Sequence, residues 1–211
     1  NYDVGNGPGG TIGYGTTNQS IDGRPRDVIF ERNISPRAID STALQYGTWR
    51  NNIIANNTSA GVSVASAQGM NPGIGQCPNH LYFYHNSAYS GATGSNSADI
   101  AQFVQLPPEC TGLMATIQNN LVYAPNSTTD GVIMNLGGQV SETTCATCNT
   151  LGTGEKHTSP LYQVSPALLI QHFTPSSGSY ANGRGITVPV WNDFFGNWQQ
   201  AIRDIGAVII P

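Results

Sequence analysis

Val28-Ile-Phe-Glu-Arg-Asn33-Ile34 is the first of four similar stretches in this chain. The others are Trp49-Arg-Asn-Asn52-Ile-Ile-Ala-Asn-Asn57, Leu81-Tyr-Phe-Tyr-His-Asn86-Ser-Ala-Tyr89 and Ala115-Thr-Ile-Gln-Asn-Asn120-Leu-Val-Tyr123. Each reads as a short strand with alternating apolar positions, then one or two asparagines, then a second short apolar stretch. The aligned residues Asn33, Asn52, Asn86 and Asn120 lie 19, 34 and 34 residues apart. Irregular repetition on this scale points to a solenoid, in which each coil buries its apolar face on its neighbours.

The asparagines have a physical role in such a coil. A corner between two strands needs a residue that tolerates left-handed backbone angles, and asparagine does so while bonding its own backbone. Stacked coils then place Asn over Asn, each side-chain amide bonding the next. Ile29, Ile53, Phe83 and Ile117 are expected to stack inward as apolar ladders. Variable spacing follows if loops are inserted at one corner per coil, and residues 66–79 and 90–98 have that composition. The competing architecture is a β-sandwich with asparagine in its hairpins, but sandwiches rarely repeat one strand–Asn–strand unit.

Composition agrees with an all-β chain. The 211 residues suit one domain with a sizeable core. Only 9% are charged, 38% are hydrophobic, and there are 25 glycines and 13 prolines. That balance fits neither a helical bundle nor a disordered chain. Residues 1–27 read as a Gly-rich extended lead-in, with Gly5, Gly7, Gly9, Gly10, Gly13 and Gly15 near its start. Residues 28–211 read as the repeat domain. Net charge is −4 with eight Lys plus Arg, and no basic cluster exceeds Arg24, Arg26 and Arg32. A nucleic-acid backbone needs a denser cationic face, so that partner class is excluded. No apolar run approaches the roughly 18 residues that span a bilayer. The chain begins at Asn1 without a signal segment, which reads as a processed product or a piece of something longer.

Cys77, Cys110, Cys145 and Cys148 form an even set. Two disulfides, Cys77–Cys110 and Cys145–Cys148, are one reading. A Cys₃His zinc site built from Cys77-Pro-Asn-His80 and Cys145-Ala-Thr-Cys148 is another, and free thiols a third. Sequons at Asn18, Asn33, Asn56, Asn57 and Asn126, with Lys156 the sole lysine, place the chain outside the cell or on its surface.

The end of the chain carries an ordered set: Ser165-Pro-Ala167, then Asp193-Phe-Phe-Gly196-Asn197, then Asp204-Ile-Gly-Ala207. It resembles the C-terminal end of secreted right-handed parallel β-helix proteins of the pectate-lyase-like superfamily, where such segments close the last coils. Two departures are visible. Leu168-Leu-Ile170 follows Ser165-Pro-Ala167 where the family usually has Ile-Asp-Ala-Gly, and Trp198 stands where a proline often follows the turn. The resemblance implies a fold and not one activity, since such β-helices include lyases, hydrolases, epimerases, tailspikes and adhesins. It also implies two ends in need of caps. Residues 1–27 hold no amphipathic capping helix, so missing coils, a neighbouring chain or self-association are expected to cover the N-terminal end.

Lyase chemistry on such a fold needs a base beside a uronate carboxyl and a cation to neutralise it, calcium or arginine. Arg50 and His85 lie at similar offsets before Asn52 and Asn86 and are the candidate catalytic pair. His80, Lys156 and His157 are weaker candidates, and all five also fit ordinary solvated strand or loop positions. Calcium is the cofactor such chemistry would use. The carboxylates Asp22, Asp27, Glu31, Asp40, Asp99, Glu109 and Asp130 are scattered, and no paired-carboxylate motif for glycoside hydrolysis is present. Aromatics provide a binding face instead. With Phe83 inside, period-two alternation turns Tyr82 and Tyr84 outward, and Trp49 joins them as a candidate for stacking on sugar rings. Trp191 and Trp198 fit either a sugar-stacking role or coverage of the terminal coils. The expectation is an extracellular β-helix that processes or binds polysaccharide, with a non-catalytic fibre, spike or adhesin subunit as the alternative.

Overall fold

The computed structural model describes residues 26–35, 46–56, 79–90, 113–123, 173–199 and 204–209, with further strand segments at 11–14, 38–41, 63–66, 104–105, 134–135 and 140–144. The four cysteines, Lys156, His157 and the segments 67–78 and 91–98 lie outside these described residues. Fourteen strands lie within them. The first seven are β1 (Thr11–Tyr14), β2 (Val28–Glu31), β3 (Ile34–Ser35), β4 (Ala38–Ser41), β5 (Tyr46–Arg50), β6 (Ile53–Asn56) and β7 (Ser63–Ser66). The rest are β8 (His80–Tyr84), β9 (Ser87–Ser90), β10 (Val104–Gln105), β11 (Leu113–Gln118), β12 (Leu121–Tyr123), β13 (Met134–Asn135) and β14 (Val140–Thr144). The described part of the chain is strand-rich and all-β, and its strands form three parallel sheets.

The first sheet has the order β2-β5-β8-β11-β14, the second β3-β6-β9-β12 and the third β1-β4-β7-β10-β13. Successive strands therefore enter the three sheets in rotation. Sequence reading finds the first and second strands of four turns, and misses the third strands and β14. Strands such as Val104–Gln105 and Met134–Asn135 are two residues long and carry no shared asparagine signal. β1 falls inside the stretch read as a lead-in and pairs with β4, Thr11 opposite Ala38.

Register in the first sheet is set by one column. Phe30, Trp49, Phe83 and Ile117 are successive partners. Phe30 stacks on Trp49 at 4.9 Å and Trp49 on Phe83 at 5.1 Å, and all four side chains are buried. The Trp49 indole donates to the Ile39 carbonyl at 3.3 Å, so the one polar atom of this column is satisfied by the third sheet. Two expectations are corrected here. Ile29 is 52% exposed, because Phe30 takes the inward position beside it. Ile53 is buried, but under the C-terminal segment with Phe173, Ala207 and Val208 rather than in the aromatic column.

The turn from first to second sheet is always two residues: Arg32-Asn33, Asn51-Asn52, His85-Asn86 and Asn119-Asn120. The left-handed residue is the first of each pair, with φ of 53°, 53°, 51° and 60°. The laddered asparagine is the second, which separates two jobs that the sequence reading gave to one residue. Asn33 donates its backbone N–H and its Nδ2 to Asn52 Oδ1, both at 3.0 Å. Asn52 does the same to Asn86 Oδ1 (3.1 and 2.9 Å), and Asn86 to Asn120 Oδ1 (3.0 and 2.9 Å). Each Nδ2 also reaches back one turn, Asn52 to the Phe30 carbonyl, Asn86 to Trp49 and Asn120 to Phe83. All four residues are buried, so each amide replaces lost water with directed bonds. Asn33 is thus occupied and its sequon inaccessible in the folded chain.

Residues 173–199 and 204–209 lie along the flank of the stack, which departs from the expected end closure. Ile186 bonds Asn119 in both directions, Val188 and Val190 pack on Tyr84, and the Asn192 carbonyl accepts from Asn51 Nδ2 at 2.6 Å. A second pass follows the same direction. Gly206 N–H donates to the Asn119 carbonyl, Ala207 N–H to Ser87 Oγ at 2.8 Å, and Val208 packs with Ile53. The Asp193–Asn197 turn is closed by Asp193 Oδ1 accepting from the Asn197 N–H at 2.7 Å. Asp204 Oδ1 caps the other pass by accepting from Gly183 N–H at 2.8 Å. At Gly206, φ is +101°, and a Cβ would lie 2.9 Å from Ser87 Oγ and 3.1 Å from Leu121. Only glycine fits that position.

Two outcomes follow for stability in urea. Asn86→Ala removes the acceptor of Asn52 and the donor to Asn120 and Trp49, and should cost about 3–5 kcal/mol. Gly206→Ala should cost about 2–4 kcal/mol through backbone strain and overpacking, with the flank segment loosening first in hydrogen exchange.

Candidate functional site

The outer face of the first sheet is built by the residues alternating with the buried column. Glu31, Arg50, Tyr84 and Gln118 are successive partners in one row. Ile29, Thr48, Tyr82 and Thr116 form the next, and Tyr46 and His80 belong to a third. On β8 the outward side chains make a continuous aromatic run. His80 stacks on Tyr82 at 4.1 Å with planes 10° apart, and Tyr82 lies 5.9 Å from Tyr84. Thr116 Oγ1 sits 2.9 Å from His80 Nε2, and Arg26 lies 5.2 Å over the Tyr46 ring. Burial favours the neutral imidazole of His80, pulling its pKa below the ordinary value.

The flank segment extends this face. Val188 and Val190 cover Tyr84, which leaves Tyr82 the more open of the two tyrosines. Beyond Val190 the chain forms a tight two-stranded turn, with Asn192 bridged antiparallel to Trp198. Trp191 and Trp198 stack 6.1 Å apart with planes at 11°, and they are 55% and 67% exposed. The turn is seated on the first-sheet corner through Asn51 and the Asn192 carbonyl. A Cβ at Gly196 would lie 3.9 Å from Arg32 Nη1, so the corner arginine Arg32 borders the turn that carries the tryptophans.

The candidates named from sequence separate in the structure. Tyr82 lies on the face, partly exposed. Tyr84 faces the same way but is covered. Trp49 is fully buried in the aromatic column, out of reach of any ligand on the outer face. Arg50 points outward, and its Nη2 pairs with Glu31 Oε2 at 2.8 Å. His85 is not beside Arg50, because it occupies the left-handed corner position and Tyr84 is the true partner of Arg50. Its imidazole is fully buried, with Nδ1 3.2 Å from the Gly206 carbonyl and Nε2 3.0 Å from Asn119 Nδ2. Asn119 donates to Nε2, so the proton belongs on Nδ1 and points at Gly206. His85 thus ties the corner to the flank segment. His80, a weaker candidate base from sequence that also fitted a loop position, lies on the outer face as part of β8, and its period-two spacing from Tyr82 and Tyr84 is the signal for it.

A calcium cage needs converging carboxylates. Among the described residues no group of three or more His, Cys, Asp or Glu comes together, and Glu31 is already paired with arginine. No described helix is long and apolar enough to cross a membrane.

Burial and the neighbouring Tyr82 push the Tyr84 phenol up from 10.0 to about 12. The unfolded chain therefore loses this proton first as pH rises. Its contribution to stability is intact below pH 10 and declines through the window up to about 12. Urea unfolding on either side of pH 10 should show that decline, and Tyr84→Phe should reduce it. The chain matches no protein-family model, no curated protein and no solved structure.

Proposed function

We propose that this chain is a right-handed parallel β-helix, secreted or displayed at a cell surface, that binds polysaccharide along the outer face of its first sheet. Three-sheet rotation of parallel strands, with a two-residue corner from first to second sheet in each of four layers, supports the solenoid. The handedness follows from the strong right-handed preference of parallel crossover connections. The ordered segments Asp193–Asn197 and Asp204–Ala207 support the resemblance to pectate-lyase-like β-helices, with the difference that they run along the flank.

The observation that carries the binding reading is the solvent-exposed Trp191–Trp198 stack, with the His80–Tyr82 run as a second aromatic surface on β8. Exposed parallel aromatic rings offer stacking to sugar rings, and Thr48 and Thr116, in register with Tyr82, offer hydroxyls on the first-sheet face. Binding is favoured over lyase chemistry because Arg50 is held by Glu31 and His85 is enclosed. The alternative, a fibre, spike or adhesin subunit assembling through its open end, draws on β2 as an edge strand of the first sheet with Ile29 exposed on it.

Affinity electrophoresis through gels carrying acidic or neutral polysaccharides tests this reading. At least one polymer should retard the protein, and a Trp191→Ala, Trp198→Ala double variant of unchanged melting temperature should lose about tenfold or more in affinity. Release of unsaturated ends would move the assignment to a lyase. Absence of retardation together with self-association in sedimentation would favour the fibre subunit.

A further inference from the structure

We infer that the contact between His85 and Asn119 is an acid-released fastening. It holds the 186–191 stretch of the flank on the corner while the imidazole is neutral, and releases that stretch when the imidazole takes a proton. The inference concerns the flank itself and does not depend on what the outer face binds.

The hydrogen bonds of Asn119 leave one arrangement open. Its Oδ1 accepts from the Ile186 N–H at 2.9 Å, and its Nδ2 donates to the Ile186 carbonyl at 2.7 Å. Those two backbone groups fix which end of the amide is which. The second Nδ2 proton then points at His85 Nε2, 3.0 Å away, so Nε2 has to accept. Nδ1 faces the Gly206 carbonyl at 3.2 Å and has to donate. A neutral imidazole meets both demands. An imidazolium meets one, because its Nε2–H is set against an N–H of Asn119. Turning the amide to receive that proton breaks both bonds to Ile186. Both side chains are fully buried, so water does not make good the loss.

The corner residues of the adjoining layers, Asn51 and Asn119, carry no charge. Charged groups on the other packed elements have partners of their own. Asp204, two positions before Gly206, accepts from the Gly183 N–H, and Asp193 from the Asn197 N–H. Arg184, two positions before Ile186, lies over the Tyr180 ring. Tyr84, beside His85, is covered by Val188 and Val190 and keeps its phenol proton throughout the acid range. Proton uptake at His85 is therefore coupled to opening. In the open form the histidine binds its proton at the ordinary value of about 6.5, and in the closed form Nε2 does not bind it. Closure is at full strength above that pH and weakens as pH falls below it, by up to about tenfold per pH unit. Val188, Val190 and Trp191 follow Ile186 directly, so release uncovers Tyr84.

Amide exchange followed by NMR at about pH 7.5 and about pH 5, corrected for the intrinsic rate at each pH, tests this. Protection of the Ile186 N–H should fall about thirtyfold between the two, and stay below that of the Asn52 N–H at both. His85→Asn places at this left-handed corner the residue that already stands at the corners of Asn51 and Asn119, without a titrating group. In that variant the fall should shrink to about twofold or less. The imidazole nitrogen shifts of the wild-type protein give a readout that needs no variant. His85 should carry its proton on Nδ1 at the higher pH and titrate together with the loss of Ile186 protection. Ile186 protection that is unchanged at the lower pH, or that falls equally in His85→Asn, would overturn the inference. So would an imidazolium at His85 with Ile186 still protected. Ile186 exchange no faster than that of Asn52 would overturn it as well, since release would then occur only with the whole stack.

Discussion

The asparagine ladder is the constraint on which the rest of this structure depends. A parallel stack of short strands has to turn the chain at the same place in every layer, and each turn leaves backbone donors and acceptors buried. Here one amide per layer makes four bonds, two of them to such backbone groups and two to the amides of the adjoining layers. Its oxygen accepts from the backbone and the side chain of the preceding layer, and its nitrogen donates onward and back. The bonds are individually modest, about 1 kcal/mol net, but an unmade partner in this setting costs more than the bond contributes. Register is therefore held from Asn33 through Asn120 even though the chain between corners varies greatly in length.

That register determines what the outer surface can be. Because Phe30, Trp49, Phe83 and Ile117 align inside, Glu31, Arg50, Tyr84 and Gln118 align outside. The left-handed residue ahead of each ladder asparagine turns its side chain to the corner, where Asn51, His85 and Asn119 each hold the C-terminal segment. The segment in turn buries Tyr84 and sets the tryptophan turn at the margin of the sheet. A histidine that from sequence resembles a catalytic group is, in this setting, a fastening between two layers and the flank.

Much of this was legible in the residues, and the failures have physical causes. Phe30, Trp49, Phe83 and Ile117 all stand three positions before a ladder asparagine, so a fixed offset finds the whole inward column. Reading Ile29 as inward breaks that offset, since two adjacent apolar residues obscure the alternation. Placing Trp49 outside breaks it too. Ser87 at the position equivalent to Ile53 was the signal that this column lies outside the main core, where a hydroxyl meets the Ala207 amide. The third strands were not legible because two to four residues without a shared side-chain pattern hold no periodicity to detect. The exposure of Trp191 and Trp198 was equally hidden, as it depends on which side of a six-residue turn faces the sheet.

The proposed β-helix and its glycan surface both rest on the corner ladder, and amide hydrogen exchange followed by NMR tests that ladder directly. The account predicts that the backbone N–H groups of Asn33, Asn52 and Asn86, together with the Nδ2 protons of Asn52 and Asn86, are among the slowest to exchange and open only with the stack as a whole. Exchange at these sites as fast as in exposed turns would contradict it.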